Sequence, residues 1–252
     1  MGDEQRLIWE AGRKAEAADR SRRELIMNVS HELRSPIASI RAHIDSLLLP
    51  GDERLAAEEV DRRLRVTASE TRRLGDLVED LLMLARADAD ELKVTSGPVE
   101  LAPLVELVTL SLGPLARQQR QVTVTHDVPL PGMTAIADAD RLTQVLTNLV
   151  RNAINYTPEG GVVSLALLES GTDRVVLTVA DTGAGIPQED LERVFERFYR
   201  TDASRSRNTG GFGLGLSIAR DLVEAMGGSL HATSRVGLGS TFWISLRRFA
   251  GT

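Results

Sequence analysis

The amino-acid sequence predicts an α+β protein, with a helical hairpin over the first third and a domain of mixed helices and strands after it. Three observations carry this expectation. Apolar residues recur at helical spacing from Leu25 to Ala85, with one interruption at Pro50-Gly51-Asp52. Ser96-Gly97-Pro98 then marks a change of pattern. Beyond it, segments alternating Val and Thr are interspersed with amphipathic stretches that end at glycine or proline.

In the first stretch Leu25, Val29, Leu33, Ile37, Ile40, Ile44 and Leu47 or Leu48 form a stripe on one helical face. In the second, Val60, Leu64, Thr67, Thr71, Leu74, Val78, Leu81 and Ala85 alternate steps of four and three, a heptad seam with Arg and Glu outside it. Two such helices joined by a short turn make an antiparallel hairpin. One hairpin cannot bury both apolar faces, whereas two copies make a four-helix bundle, so a homodimer is expected. The other reading is that the hairpin packs on the second domain. The expected division is a linker helix over 1–20, the hairpin over 21–95 and the second domain over 96–252.

In the second domain helices are expected over 101–120, 139–156, 188–199 and 214–226, the last stopped by Gly227-Gly228. Strands are expected over 121–128, 162–168, 174–180, 230–234 and 240–246, and a polar loop over 201–210.

Composition narrows the function. The net charge of −6 does not suggest a nucleic-acid partner. Without cysteine there are no disulfides and no thiolate metal sites. Lys14 and Lys93 are the only lysines, so arginine must do most work on phosphates. No stretch approaches the ~20 apolar residues that cross a bilayer, and the start carries no apolar secretory signal.

His31 lies between Val29 and Leu33 of the stripe and points away from it, toward solvent. A neutral imidazole offers one nitrogen as nucleophile, and the adjacent Glu32 can hold its tautomer or take a proton. Pro36 removes a backbone donor and is expected to loosen the turn beyond His31. Taken alone, this reads more readily as a surface histidine followed by a helix defect. His43, His126 and His231 have no comparable setting and are read as structural.

In the second domain Asn148 and Asn152 share a helix face, and their carbonyl oxygens suit a hard cation that already carries phosphate and water ligands. Asp181-Thr182-Gly183-Ala184-Gly185-Ile186-Pro187 follows a Val-rich strand. An acid there can accept from an exocyclic amine such as adenine's, and the glycines allow close approach of a flat base. Gly210-Gly211-Phe212-Gly213-Leu214-Gly215-Leu216-Ser217 opens a helix, where backbone N–H groups and the helix dipole attract phosphate. It is neither the lysine-containing phosphate loop nor a dinucleotide fingerprint.

Together these residues resemble the sensor histidine kinase family over essentially all of 21–247. Ser30-His31-Glu32-Leu33-Arg34-Ser35-Pro36 is similar to its H box, and Asn148-Leu149-Val150-Arg151-Asn152-Ala153 with Tyr156-Thr157 to its N box. Asp181-x-Gly183-x-Gly185-Ile186 resembles the G1 box and Phe195-Glu196-Arg197-Phe198-Tyr199-Arg200 the F box. Gly211-x-Gly213-Leu214-Gly215-Leu216 resembles the G2 box, and Gly237-x-Gly239-Ser240-Thr241-Phe242 the last glycine box.

The resemblance implies a dimeric four-helix-bundle phosphoacceptor domain, then an α/β-sandwich ATP-binding domain of the Bergerat fold. His31 would be the nucleophile and Glu32 its base. Asn152, with Asn148, would hold Mg²⁺. Asp181 would contact adenine, with Tyr156 near the base, and Gly183, Gly185, Gly211, Gly213, Leu214, Gly215, Leu216 and Thr241 would surround ATP. Arg200 would reach the γ-phosphate under a lid over 201–210. The phosphoryl group would pass to an aspartate of a response regulator. The chain would be cytoplasmic, its full-length protein a cell-membrane sensor anchored by an upstream segment.

Two positions depart from the family. Asn155 stands where Lys or Arg often meets a phosphate, and Ser35 where Thr or Asn is usual for regulator dephosphorylation. Two other functions remain to be distinguished. A gyrase-type ATPase would not need the hairpin's His-Glu pair, and a nucleotide-binding scaffold would not need Glu32, Asn152 and Asp181.

Overall fold

A computed structural model describes residues 3–48, 56–88, 93–128, 132–201 and 212–250, with side chains from Leu25 onward apart from 86–88. The chain forms two compact units, Met1–Glu79 and Asp80–Thr252.

The first unit is helical. α1 spans Asp3–Leu48 and α2 spans Ala57–Asp88, running on into the second unit. The expected turn at Pro50-Gly51-Asp52 lies outside the described residues. Pro36 does not interrupt α1: its ring is buried and the helix continues through it. A proline deletes one rung of the hydrogen-bond ladder, and the long flanking helix holds the rest.

Each helix leaves apolar side chains open. On α1, Ile26, Met27, Ile37, Ile44 and Leu48 are exposed; on α2, Leu64, Val78 and Leu82 are. The heptad seam is split by this exposure. Val60, Thr67, Leu74 and Leu81 are half-buried, whereas Leu64, Thr71, Val78 and Ala85 are exposed. The polar faces carry short-range ion pairs, such as Glu59 with Arg62 and Arg63 (both 2.6 Å) and Arg65 with Asp61.

The second unit is built on a five-stranded mixed sheet. β1 (Gly97–Glu100) and β3 (Thr134–Ala137) form a separate antiparallel pair. β2 (Thr123–Asp127), β4 (Val162–Ser170), β5 (Arg174–Asp181), β6 (Ser229–Arg235) and β7 (Gly239–Arg247) form the main sheet in the order β2-β4-β5-β7-β6. β2 pairs parallel to β4, and the remaining pairs are antiparallel. Three helices supply the other layer: α3 (Leu101–Arg120), α4 (Ala139–Tyr156) and α5 (Gly215–Ala225).

Period-two burial fixes which face of the sheet meets the helices. Val163, Leu165 and Leu167 of β4, Val175, Leu177 and Val179 of β5, and Phe242, Ile244 and Leu246 of β7 are all buried. Opposite them lie Leu142, Val145, Leu146, Leu149 and Val150 of α4 and Ile218, Leu222 and Val223 of α5. Each such side chain contributes roughly 1.5–3 kcal/mol by leaving water.

α3 and α4 have the bounds expected from the sequence. Asp138 starts α4 by accepting from the N–H groups of Asp140 and Arg141, both at 3.1 Å. Its other oxygen accepts from Thr95 N–H at 2.8 Å, and these bonds hold its carboxyl below the ordinary range although its partial burial opposes them.

Two expectations need correction. The helix expected over 188–199 is two 3₁₀ turns, Gln188–Asp190 and Arg193–Phe195. The chain there is fixed by separate anchors rather than by one apolar face. Phe195 meets Phe242 edge-on at 6.3 Å, and Phe198 adopts φ 62° to donate its N–H to Gly213 at 2.8 Å, which ends any helix. Strands β1 and β3 were not expected. Each is four residues long, too short for alternation to stand out from its neighbours.

Among the described residues no helix is long and apolar enough to cross a membrane.

Candidate functional site

His31 sits on α1 in the first unit with its side chain exposed. Glu32 is half-buried, Ser35 is exposed and Pro36 is buried. An imidazole in this position is open to an incoming electrophile.

The second unit brings together the other singled-out segments. Asp181 ends β5 and is 9% exposed. Its Oδ1 accepts from Gly183 N–H at 2.8 Å and from Ser240 N–H at 3.3 Å. Burial pushes its carboxyl above the ordinary range, with those two bonds opposing the shift. The bonds to Oδ1 leave Oδ2 as the atom suited to accept from a ligand donor.

The loop after Asp181 is held from two sides. Ala184 N–H donates to Tyr156 O at 3.2 Å, at the end of α4. Gly237 N–H donates to Ala184 O at 2.8 Å, and Ile186 N–H to Ser234 Oγ at 2.7 Å. Ser234 Oγ donates to Gly239 O at 2.8 Å, so the contact with Ser240 Oγ at 3.0 Å has Ser240 as donor. Two glycines are required by this closeness. At Gly239 (φ 109°) a Cβ would overlap the Asp181 carbonyl, and at Gly185 (φ 70°) it would overlap that of Arg235.

α4 and α5 meet through Asn148, whose Nδ2 donates to Gly215 O at 3.3 Å. Asn152 lies one turn further along α4 and is half-buried, as are Asn155 and Tyr156. Gly213 has φ 75°, Leu214 is buried, and Gly215 and Leu216 open α5 half-buried. Thr241 sits on β7 between Ala180 and Thr233. Arg200 is half-buried and follows Tyr199. Gly211 and all but the first residue of the expected lid lie outside the described residues.

Ser234, which braces the loop, was missed from the sequence, and Ser240 was quoted in its glycine motif without this bracing role. Ser234 is an isolated hydroxyl on a strand, and no local pattern marks it. The Tyr199 hydroxyl, which donates to Asp190 at 2.6 Å, was also missed, although Tyr199 was placed in its motif.

Among the described residues no cluster of three or more His, Cys, Asp or Glu could hold a metal. The donors on α4 are neutral amides, and Asn148 turns its nitrogen toward Gly215, which leaves its carbonyl oxygen for a cation. Such a set fits Mg²⁺ carried in with phosphate and water ligands, not a metal caged by protein alone.

Comparison with known proteins agrees with this arrangement. Residues 21–90 match the His Kinase A (phospho-acceptor) domain. Residues 137–249 match the histidine kinase-, DNA gyrase B- and HSP90-like ATPase family. The sensor histidine kinase WalK of Bacillus subtilis is 36% identical over 232 residues, covering 92% of this chain and 37% of WalK. The crystal structure of full-length ShkA in complex with AMPPNP has TM-score 0.66 and 31% identity, covering 91% of this chain and 47% of that one. Histidine kinase ThkA in complex with the response regulator protein TrrA has TM-score 0.68 and 26% identity, covering 90% of this chain and 61% of that one. The chain therefore spans less than half the length of WalK.

Proposed function

The chain belongs to the sensor histidine kinase family, and on that premise we propose that it uses Mg·ATP to phosphorylate its own His31. The observation that carries this is an exposed His31 beside a half-buried Glu32 on a helix, in the same chain as a glycine-braced acid that suits adenine.

The Asp181 carboxylate accepts from the adenine amine, and Gly183 and Gly185 let the base lie against the backbone. Asn148 and Asn152 would hold Mg²⁺, which would supply charge neutralisation on the phosphates. The N-terminus of α5, with Gly213, Leu214, Gly215 and Leu216, faces the phosphates. Arg200 reaches the terminal phosphate and stabilises its charge in flight. Glu32 holds the His31 tautomer, so that the free ring nitrogen attacks the γ-phosphorus in line; the N–P bond forms as the P–O bond to the β,γ-bridging oxygen breaks and ADP leaves.

The exposed half of the heptad seam supports a homodimer. Leu64, Thr71, Val78 and Ala85 repeat every seven residues, the pattern a second hairpin covers. Transfer to a response-regulator aspartate follows, as the ThkA complex with its regulator suggests. Ser35 keeps a hydroxyl able to orient water, so regulator dephosphorylation persists at a reduced rate. Ser35→Thr is expected to raise that rate, and no gain would count against the assignment.

Incubation with labelled ATP and Mg²⁺ is expected to give an acid-labile, base-stable phosphoprotein. Release of free phosphate with no phosphoprotein would favour the gyrase-type reading. Tight binding without turnover would favour a scaffold.

A further inference from the structure

We propose that Tyr199 is a positioning residue that, through Asp190, ties Arg200 to the loop that recognises the nucleotide base. The inference rests on the reading of Asp181 and Arg200 above and goes beyond it.

The connection can be followed bond by bond. The base loop begins at Asp181 and ends at Pro187, whose carbonyl accepts from Asp190 N–H at 3.0 Å. Asp190 Oδ1 accepts from the Tyr199 hydroxyl at 2.6 Å. The Arg193 guanidinium covers the other part of Tyr199, 4.3 Å from the ring centroid. Tyr199 N–H donates to Glu196 O at 3.2 Å. Arg200 is the next residue.

A second tie holds the same stretch from the other side. Phe198 N–H donates to Gly213 O at 2.8 Å, with Phe198 at φ 62°. A bulky residue keeps that conformation only where its surroundings fix it. Arg200 therefore follows two anchors, one to the turn that opens α5 and one to the base loop.

Burial does not account for the bond between Tyr199 and Asp190. Both side chains are only partly covered, and water could satisfy the carboxylate in place of the phenol. Phenylalanine would fill the same volume and keep the contact with Arg193. What the hydroxyl adds is direction: a short, charge-assisted bond that sets the spacing between loop and arginine. An arginine that meets charge developing in a transition state is sensitive to such spacing, because a displacement of about 1 Å can cost on the order of a hundredfold in rate.

The test compares Tyr199→Phe, Asp190→Ala and Arg200→Ala in the full chain, measuring ATP and ADP affinity with Mg²⁺, autophosphorylation rate at saturating ATP, and unfolding midpoint. Tyr199→Phe and Asp190→Ala are expected to lower the saturated rate about tenfold and to weaken ATP more than ADP. The double variant Tyr199→Phe/Asp190→Ala is expected to lose no more than either alone. Arg200→Ala is expected to remove the preference for ATP outright.

If Arg200→Ala loses that preference and Tyr199→Phe keeps both rate and preference, the tie is overturned and the Arg200 reading stands. If Arg200→Ala changes neither, the Arg200 reading falls and the tie with it. An equal loss of ATP and ADP affinity in Tyr199→Phe, or a lowered unfolding midpoint with the rate unchanged, assigns the pair to fold maintenance and overturns the proposal.

Discussion

The hairpin and the sheet domain solve opposite problems with their apolar residues. On α1 and α2, large side chains such as Leu48, Leu64 and Val78 remain half or more exposed. Polar contacts along α2 include local pairs three and four residues apart, as in Glu59 with Arg62 and Arg63. In the sheet domain the inward side chains of β4, β5 and β7 are closed off almost completely. Its polar contacts span the chain: Asp181 with Ser240, Ile186 with Ser234, and Asn148 with Gly215. In the proposed function the open element carries His31, which nucleotide and regulator would both have to reach. The closed element carries the loops that would hold one ligand in one geometry.

That contrast can be broken most severely at Gly239. Gly239→Ala places a methyl group inside the Asp181 carbonyl at φ 109°. A destabilisation on the order of 3 kcal/mol or more is expected. Calorimetry should show the sheet domain melting earlier, with hairpin helicity unchanged by circular dichroism.

On the hairpin, the pair Leu64→Lys with Val78→Lys puts charge on the exposed half of the seam. Dimer dissociation is expected to rise a hundredfold or more, from a loss of about 1.5–3 kcal/mol per covered side chain. Sedimentation should show monomer, while nucleotide binding by the sheet domain stays as it was.

The buried carboxyl of Asp181 gives a pH signature. Its affinity for protons is raised, so it loses charge at a higher pH than an ordinary aspartate as acid is added. A protonated acid is a poorer acceptor, so ATP affinity should fall with pH in that window. Asp181→Asn should bind ATP more weakly and lose the dependence. The stability sign is the reverse. The folded state holds this proton more tightly, so the group stabilises folding at low pH, and that contribution is lost as pH rises from the unfolded value of 3.8 through the raised one.

Ser234→Ala removes the hydroxyl that joins Ile186, Gly239 and Ser240. A loss of about 1–3 kcal/mol in sheet-domain stability is expected by thermal unfolding. The smallest effect belongs to Glu59→Gln. The Arg62 and Arg63 guanidiniums hold that carboxyl down at about 2, yet these are surface pairs between neighbours on one helix, and hairpin melting should not change measurably.

How much of this was legible in the sequence follows the same division. α3 and α4 could be bounded because their apolar periodicity is long, with the change of pattern at Ser96-Gly97-Pro98 shortly before α3 and the stop at Thr157-Pro158 directly after α4. The glycines of the base loop could be singled out because their spacing is local. What stayed hidden is what distant residues do together. Residues 188–199 have helical composition, and the anchors at Phe242 and Gly213 that draw them into short turns lie far along the chain. Ser234 carries no sign of its role until β6 and β7 form their hairpin. Pro36 was expected to disturb α1, and burial of its ring in a long helix absorbs the lost bond.

In the proposed reaction the group bound at the glycine loops reacts with the exposed imidazole of the hairpin. That step is tested most directly by exposing wild type and His31→Gln to γ-labelled ATP with Mg²⁺ and counting label on protein. Label on wild type, and none on a folded His31→Gln that still binds ATP, is the outcome expected. Equal label on both would place the acceptor elsewhere and contradict the account.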